Sequence, residues 1–312
     1  MANPKNGIES ISPVTVLREI ANAVPADCRD HIIIIGSLAV GFHYFAGQDR
    51  IAVRTKDADC LLSPRVEAIP TGVAIVNRLL DAGWQFKKIG NRTKPGTSDT
   101  PEKDLPAVRL CPPGRSEWFI ELLTVPATPT DRGQHWTRLT TRHGDFGLCS
   151  FGFLSLANFK PIPTDMGIHI ARPEIMALAN LLEHPVIKSD LMAGGFAGRT
   201  DIKRSNKDLG RVLAIARLAV GQNHDVLLDW PRLWKEALKD RFPSEFGTLA
   251  RRVGQGLRAL LASEPDLEQA WHTCVNGLLA SNPPTLNLLR IAGQRLLQDA
   301  IESLEKDVAQ GE

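Results

Sequence analysis

Two aspartates separated by one residue, Asp57 and Asp59, are the side chains of this sequence best placed for chemistry. Apart from Asp59, the segment from Ala58 to Leu62 is small or apolar and predicts a strand, in which residues two apart leave the same face. Neighbouring carboxylates offer the hard oxygen ligands that Mg²⁺ prefers, and substrate phosphates commonly complete its coordination. The spacing therefore predicts a site for Mg²⁺ or Mn²⁺ on one face of a strand.

A glycine–serine pair, Gly36 and Ser37, follows a continuous run of β-branched residues over Ile32–Ile35. Such a run predicts a strand that is buried on both faces. The pair then forms a strand-to-helix turn, and Leu38–Phe45 is expected to continue as a short helix. Backbone N–H groups at this kind of turn favour an anionic ligand. Gly36 and Ser37 are therefore candidates for binding phosphate groups.

The order of these features resembles the DNA polymerase β-like nucleotidyltransferase superfamily, in which an apolar strand, Gly-Gly or Gly-Ser, a short helix and Asp-x-Asp follow one another. The segment RTKDAD over Arg54–Asp59 is similar to the form found in the abortive-infection-type toxin nucleotidyltransferases. The resemblance implies an NTP substrate, and Mg²⁺ ions bound by Asp57 and Asp59. Rival phosphate-binding motifs are absent, since the sequence contains neither G-x-G-x-x-G nor Gly-Lys-Ser/Thr.

Members of this superfamily usually add a third carboxylate on a neighbouring strand, and Glu121 is the best candidate. The segment WFIELLTV over Trp118–Val125 is an apolar strand interrupted by this single charge. A lone buried carboxylate is costly unless a cation or hydrogen bonds compensate it. A metal bound by Asp57 and Asp59 would compensate it, and Glu121 then becomes a candidate general base. The alternative is an edge strand whose glutamate faces water.

A second cluster of charges, beyond residue 190, consists of the basic residues Arg199, Lys203, Arg204, Lys207 and Arg211. Toxin-type nucleotidyltransferases carry a Lys-Asp pair at about this place, and Lys207-Asp208 resembles it. The preceding predicted helix, Glu174–Leu182, contains no lysine, so Lys203 or Lys207 is expected to contact the triphosphate. Ser205 and Asp208 also fit the S-x-x-D pattern of a helix cap, and for Asp208 both interpretations stay open.

The composition is typical of a cytoplasmic enzyme. The 43% apolar content of 312 residues is ample for two cores, and a net charge of +2 gives no general case for nucleic-acid binding. Five scattered cysteines with no C-x-x-C pair indicate neither a disulfide framework nor a zinc cluster. No signal peptide and no apolar run of about 18 residues is present, so no contact with a membrane is expected.

The chain is expected to divide near residue 170. The resemblance implies an α/β (α+β) nucleotidyltransferase domain over residues 1–170, built on a mixed sheet with flanking helices, followed by an all-helical domain over residues 171–312. A cleft between them would contain the active site. A polar loop is expected over Arg92–Asp104. The pattern predicts further strands at Trp84–Ile89, Ala107–Cys111, Phe146–Phe151 and Gly167–Ala171, and further helices at Thr71–Asp81, Ser205–Leu218 and Pro284–Val308.

The implied activity is the transfer of an NMP group from an NTP to an acceptor hydroxyl. Asp57, Asp59 and Glu121 would bind the metal, and Ser37 would contact the phosphates. The acceptor stays open among tRNA, a protein and a small molecule. The alternative is a non-catalytic interaction protein with the same fold, such as a toxin–antitoxin component that binds an antitoxin partner.

Overall fold

The computed structural model describes residues 10–47, 53–87, 94–115, 117–128 and 130–309. The chain forms two compact units. The α/β unit comprises Ile11–Asp49 and Thr55–Arg172, and the helical unit comprises Pro173–Glu312 together with Met1–Ser10 and Arg50–Arg54. No helix among the described residues is long and apolar enough to cross a membrane.

Up to Arg172 the chain alternates strands with a few helices. The strands are β1 (Ser10–Ile11), β2 (Ile32–Ile35), β3 (Val53–Arg54), β4 (Asp57–Leu62), β5 (Gln85–Phe86), β6 (Arg109–Cys111), β7 (Phe119–Thr124), β8 (His135–Thr141), β9 (Gly144–Ser150), β10 (Ile162–Pro163) and β11 (His169–Ile170). The helices are α1 (Pro13–Ala23), α2 (Gly36–Phe45), α3 (Arg65–Asp81) and α4 (Leu154–Ala157), with 3₁₀ turns at Ala26–His31 and Glu102–Asp104.

Nine of these strands form one mixed sheet in the order β10-β11-β2-β4-β7-β6-β5, with β9 pairing β7 and β8 pairing β9. β4 is antiparallel to β2 and parallel to β7, whereas β6 is antiparallel to β7. All four residues of β2 are buried, as the β-branched run predicts. The mixed sheet with helices, followed by a largely helical region, confirms the predicted fold class at this level.

Two elements of the α/β unit differ from the sequence prediction. Helix α3 begins at Arg65 instead of Thr71 and continues across Pro70, which lies in its second turn and removes only one early hydrogen bond. Strand β8 was not predicted, because Leu139 is its only fully buried residue. It is formed by backbone pairing with β9 along seven residue pairs. Part of the predicted loop and the end of the strand predicted at Trp84–Ile89 lie outside the described residues.

The helical unit contains α5 (Pro173–Glu183), α6 (Arg204–Gln222), α7 (Trp230–Arg241), α8 (Phe246–Arg252), α9 (Gln255–Ala262), α10 (Glu264–Val275), α11 (Leu286–Arg295) and α12 (Glu302–Ala309). A π-helical turn over Leu296–Ile301 joins α11 to α12, so the predicted long last helix is continuous with one irregular turn. Ser263 caps α10 by accepting a hydrogen bond from the Asp266 N–H at 3.4 Å. Trp234 is fully buried in the core of this unit.

Candidate active site

Four residues that are far apart in sequence lie side by side across four neighbouring strands of the sheet. Ile35 of β2 pairs with Asp59 of β4, Asp59 pairs with Glu121 of β7, and Glu121 pairs with Arg109 of β6. We call these four residues the four-strand row. Asp57 lies two residues before Asp59 on β4 and shares its face. The sheet therefore brings Asp57, Asp59 and Glu121 onto one face, which we call the acidic face.

Gly36 lies directly against the acidic face. It follows Ile35, has φ +74°, and begins α2. A Cβ atom built on Gly36 would lie 2.7 Å from Oδ2 of Asp59, a separation that real Cβ atoms do not show. The backbone angle therefore favours glycine, and an added side chain would force the Asp59 carboxylate to shift. Ser37, which is partly exposed, lies in the first turn of α2, so the N–H groups of this turn begin beside the Asp59 carboxylate.

Glu121 binds Arg109 through both of its carboxylate oxygens. Nε of Arg109 donates to Oε2 and Nη2 donates to Oε1, each at 2.8 Å. The Glu121 side chain is only 13% exposed, and β7 pairs with β4, β6 and β9. The alternative of a water-facing glutamate on an edge strand is therefore wrong, because β7 lies inside the sheet.

The guanidinium of Arg109 is held in its charged form by all the carboxylates of the acidic face. Burial opposes this charge, but the hydrogen bonds and charge of Glu121, together with the charges of Asp57 and Asp59, raise the pKa of Arg109 above its usual value. Arg109 is thus a permanent cation beside three carboxylates. The prediction of site residues missed it. Its signal is the one that identified Glu121, a single charge in an otherwise apolar segment, VRLC.

Asp57 is oriented by a neighbour on its own segment. Oγ1 of Thr55 donates to Oδ1 of Asp57 at 2.7 Å, and Thr55 itself is buried. The residues of β4 between and after the aspartates, Ala58 and Cys60, are buried on the other face. Burial, with a smaller contribution from the charge of Asp59, raises the pKa of the Cys60 thiol, so this cysteine is a neutral core residue.

A second cation, Lys87, lies at the same end of the sheet. Its Nζ is 4.1 Å from the centre of the Phe119 ring, and its backbone N–H donates to the carbonyl of Arg109 at 2.8 Å. Phe119 pairs with Asp57 in the ladder between β7 and β4. Lys87 therefore packs on the residue opposite Asp57, and it adds positive charge beside the acidic face.

The donor chemistry of the acidic face suits Mg²⁺, because all three groups are carboxylates. Within the described part of the chain, however, no three side chains of the types His, Cys, Asp and Glu converge as a ready-made metal site. Both oxygens of Glu121 accept hydrogen bonds from the Arg109 guanidinium in this arrangement. Asp57 and Asp59 would supply carboxylate oxygens to a cation, and Glu121 would do so once Arg109 releases it.

The remaining predicted site residues lie in the helical unit and contact carboxylates of that unit. Nζ of Lys203 is 2.7 Å from Oδ1 of Asp266, and Nζ of Lys207 is 3.7 Å from Oδ1 of Asp208. The capping interpretation of Asp208 is wrong, because α6 already begins at Arg204, so Ser205 is inside the helix. Asp208 instead accepts a hydrogen bond from Nε2 of His184 at 3.0 Å. The contact of Lys203 or Lys207 with a triphosphate stays a prediction.

No model of a known protein family matches this chain, and no curated protein sequence gives a significant match. The chemistry of the acidic face is therefore inferred from its own residues and their order along the sequence. Two features of the structure support this chemistry most directly. One is the register that aligns Asp59 with Glu121, and the other is Gly36, which allows the start of α2 to approach Asp59.

Proposed function

We propose that this protein is a metal-dependent nucleotidyltransferase of the polymerase β-like type, which moves an NMP group from an NTP to an acceptor hydroxyl. The four-strand row is the observation that carries the proposal. Ile35 pairs with Asp59 in this row, so the proposed phosphate-binding turn, Gly36 and Ser37, begins beside Asp59, and Glu121 lies on the next strand. A phosphate site beside several hard oxygen ligands suits a substrate that carries phosphates and a divalent cation.

Each residue of the site has a role in this reaction. Asp57, Asp59 and, after its release, Glu121 would bind Mg²⁺. The bound cation would neutralise phosphate charge and lower the pKa of the acceptor hydroxyl. The N–H groups of the first turn of α2 would donate to phosphate oxygens, and the Ser37 hydroxyl would add a further donor.

The transfer itself exchanges one bond to phosphorus for another. The acceptor oxygen attacks the α-phosphorus, and the bond from that phosphorus to the oxygen bridging to the β-phosphate breaks. The hydroxyl proton passes to the carboxylate of Glu121, and pyrophosphate leaves. Glu121 is suited to this role because it is the one charged residue of β7 and lies on the same face as Asp59, with which it pairs.

The Arg109–Glu121 ion pair also favours a second candidate function. If the guanidinium never releases Glu121, the third carboxylate is permanently neutralised, and the protein retains the fold without the transfer reaction. It would then act as a non-catalytic interaction protein, for example in a toxin–antitoxin pair. Transfer of label separates the two functions, because only the enzyme moves phosphorus to an acceptor.

The test uses each NTP labelled at either the α- or the γ-phosphate, with Mg²⁺ and, in separate reactions, tRNA, a protein extract and small hydroxyl compounds. We expect the α-label to appear on one acceptor class and the γ-label to leave as pyrophosphate. Asp59→Asn should reduce the rate about a thousandfold or more, as expected for loss of a residue that acts in the transition state. The acceptor that takes up label also identifies the substrate class.

Asp165→Asn is the matched control for Asp59→Asn. Asp165 is an exposed aspartate of the same unit, in the turn between β10 and β11. Because β11 runs parallel to β2, this turn lies near the start of β2, whereas the four-strand row lies at its end. The control should keep the parent rate. Equal rates for Asp59→Asn and the parent, or uptake of γ-label by the acceptor, would exclude the proposed reaction.

A further inference from the structure

The contact between Arg109 and Glu121 covers the part of Glu121 that a cation would use. The two residues are direct partners in the register of β6 and β7, and the planar guanidinium donates to both carboxylate oxygens at 2.8 Å. A two-point contact of this kind occupies the open end of the carboxylate, from which both oxygens can be reached at once. A divalent cation bound to either oxygen would share it with the guanidinium, and two positive charges at that distance repel each other. Arg109 and a metal ion therefore compete for Glu121.

Arg109 also compensates the other carboxylates. The charges of Glu121, Asp57 and Asp59 all stabilise its charged form. Three carboxylates on one face repel each other, and a nearby cation or hydrogen bonds reduce the cost of burying them. In the protein alone, the guanidinium supplies that positive charge, and its side chain is itself only 31% exposed.

We propose that Arg109 is a positioning residue that holds Glu121 in the metal-free protein and competes with the divalent cation for it. The proposal rests on the proposed function, because it takes the acidic face as the metal site. The competition lowers the affinity of the free protein for a divalent cation. A bound cation displaces the guanidinium from Glu121, and the third carboxylate becomes available to the reaction only then.

Titration with Mn²⁺ in the absence of nucleotide tests the competition. The electron paramagnetic resonance signal of free Mn²⁺ gives the bound fraction without any measurement of activity. We expect Arg109→Gln to bind Mn²⁺ roughly tenfold or more tightly than the parent, because a positive charge a few ångströms away no longer opposes the cation. Arg109→Lys should lie between the two, since it keeps the charge but not the two-point contact.

Arg138→Gln is the matched control. Arg138 forms an ion pair with Asp145 in the same unit, and the side-chain exposures of 25% and 7% are close to the 31% and 13% of Arg109 and Glu121. Loss of this pair should not change the affinity for Mn²⁺. The double variant Arg109→Gln/Glu121→Gln should lose most of the gain, because the competition acts through Glu121.

A measurement on the parent protein covers the case in which Arg109→Gln does not fold. The ¹⁵N signal of Arg109 Nε should shift as Mg²⁺ is added, with the same concentration dependence as cation binding, while the signal of Arg138 stays in place. Equal Mn²⁺ affinity of the parent and Arg109→Gln, or an Arg109 signal that does not move while Mg²⁺ binds, overturns the competition and leaves the proposed function standing. Absence of Mn²⁺ binding in the parent and in every variant overturns the proposed function, and the competition with it.

Discussion

The acidic face of the α/β unit and the surroundings of Asp208 in the helical unit are both clusters of charge, but their balance differs. In the helical unit, one carboxylate lies near Lys207 and Arg211 and accepts a hydrogen bond from His184. On the acidic face, three carboxylates lie around the guanidinium of Arg109. We infer that a cluster whose single carboxylate is surrounded by cations of the protein stabilises helix packing, whereas an excess of carboxylates suits the binding of a cation that the protein does not supply.

The two clusters also differ in how far their carboxylates are buried. The side chains of His184 and Asp208 are only 6% and 12% exposed. Burial opposes the charge of Asp208, but Lys207, the hydrogen bond from His184 and the charge of Arg211 outweigh it and hold the pKa well below its usual range. Asp57 and Asp59 are each partly exposed, as a site that exchanges ligands with solvent requires.

The largest effect on stability is expected at Asp208. Asp208→Asn removes a buried charge and leaves Lys207 and Arg211 without their shared carboxylate, which should cost about 3 kcal/mol of unfolding free energy. Urea unfolding at neutral pH measures the loss. Asp225→Asn, a change at an aspartate that is 75% exposed in the same unit, is the control and should cost almost nothing. The transfer rate per folded molecule should not change in either variant.

The stabilisation that the Asp208 carboxylate provides should decrease as the pH falls. Because the pKa of Asp208 is lower in the folded than in the unfolded protein, its stabilisation is complete above the unfolded value of about 4. The stabilisation is then lost as the pH falls towards the folded pKa. The difference in unfolding free energy between the parent and Asp208→Asn should therefore shrink below about pH 4. A difference that stays constant down to acid pH would show that the lost stability does not come from the ionised carboxylate.

A smaller effect on stability, but a selective one on the site, is expected at Gly36. Gly36→Ala places a side chain at φ +74°, which costs roughly 1–2 kcal/mol, and brings Cβ to 2.7 Å from Oδ2 of Asp59. Gly114→Ala separates these contributions, because Gly114 has φ +69° and no atom within 4 Å of the added Cβ. Both variants should melt earlier than the parent. Only Gly36→Ala should also lose Mn²⁺ binding and transfer. Parent-like Mn²⁺ binding by Gly36→Ala would show that the Asp59 carboxylate does not depend on glycine at this position.

The parts of the site that local patterns determine were predictable from the sequence. The apolar run before Gly36 predicted β2, and the glycine–serine pair after it predicted the start of a helix. The period of two in a strand predicted that Asp57 and Asp59 share a face. The apolar residues around Glu121 predicted β7. Each of these depends on residues within a few positions of one another, where hydrophobic pattern and backbone geometry act directly.

The parts that depend on register or on tertiary contacts were not predictable in this way. Arg109 meets Glu121 because β6 and β7 pair in one particular alignment, which the sequence between them does not reveal. Strand β8 forms by pairing with β9 although only one of its seven residues is buried. The capping interpretation, one of the two left open for Asp208, was wrong because the S-x-x-D pattern falls inside α6, which begins at Arg204.

The smallest effect is expected at Lys203, which the resemblance connects with the triphosphate. Its ammonium lies 2.7 Å from Oδ1 of Asp266, and its side chain is 32% exposed. Burial opposes the charge of Asp266, but the hydrogen bonds from Lys203, Asn206 and Ser263 lower its pKa, so the lysine stabilises a carboxylate of its own unit. Lys203→Ala should therefore cost about 1 kcal/mol or less of unfolding free energy and leave the KM for NTP unchanged.

The exposed Lys188 provides the control, since Lys188→Ala removes a positive charge from the same unit without touching Asp266. A loss of stability confined to Lys203→Ala would show that Lys203, like the cations around Asp208, stabilises a carboxylate of the helical unit. A raised KM at Lys203→Ala, with no loss of stability and no change at Lys188→Ala, would instead show that this lysine reaches the nucleotide. Lys203 would then be a cation that serves the substrate and not a carboxylate of its own unit, and the contrast between the two clusters of charge would no longer hold at Lys203.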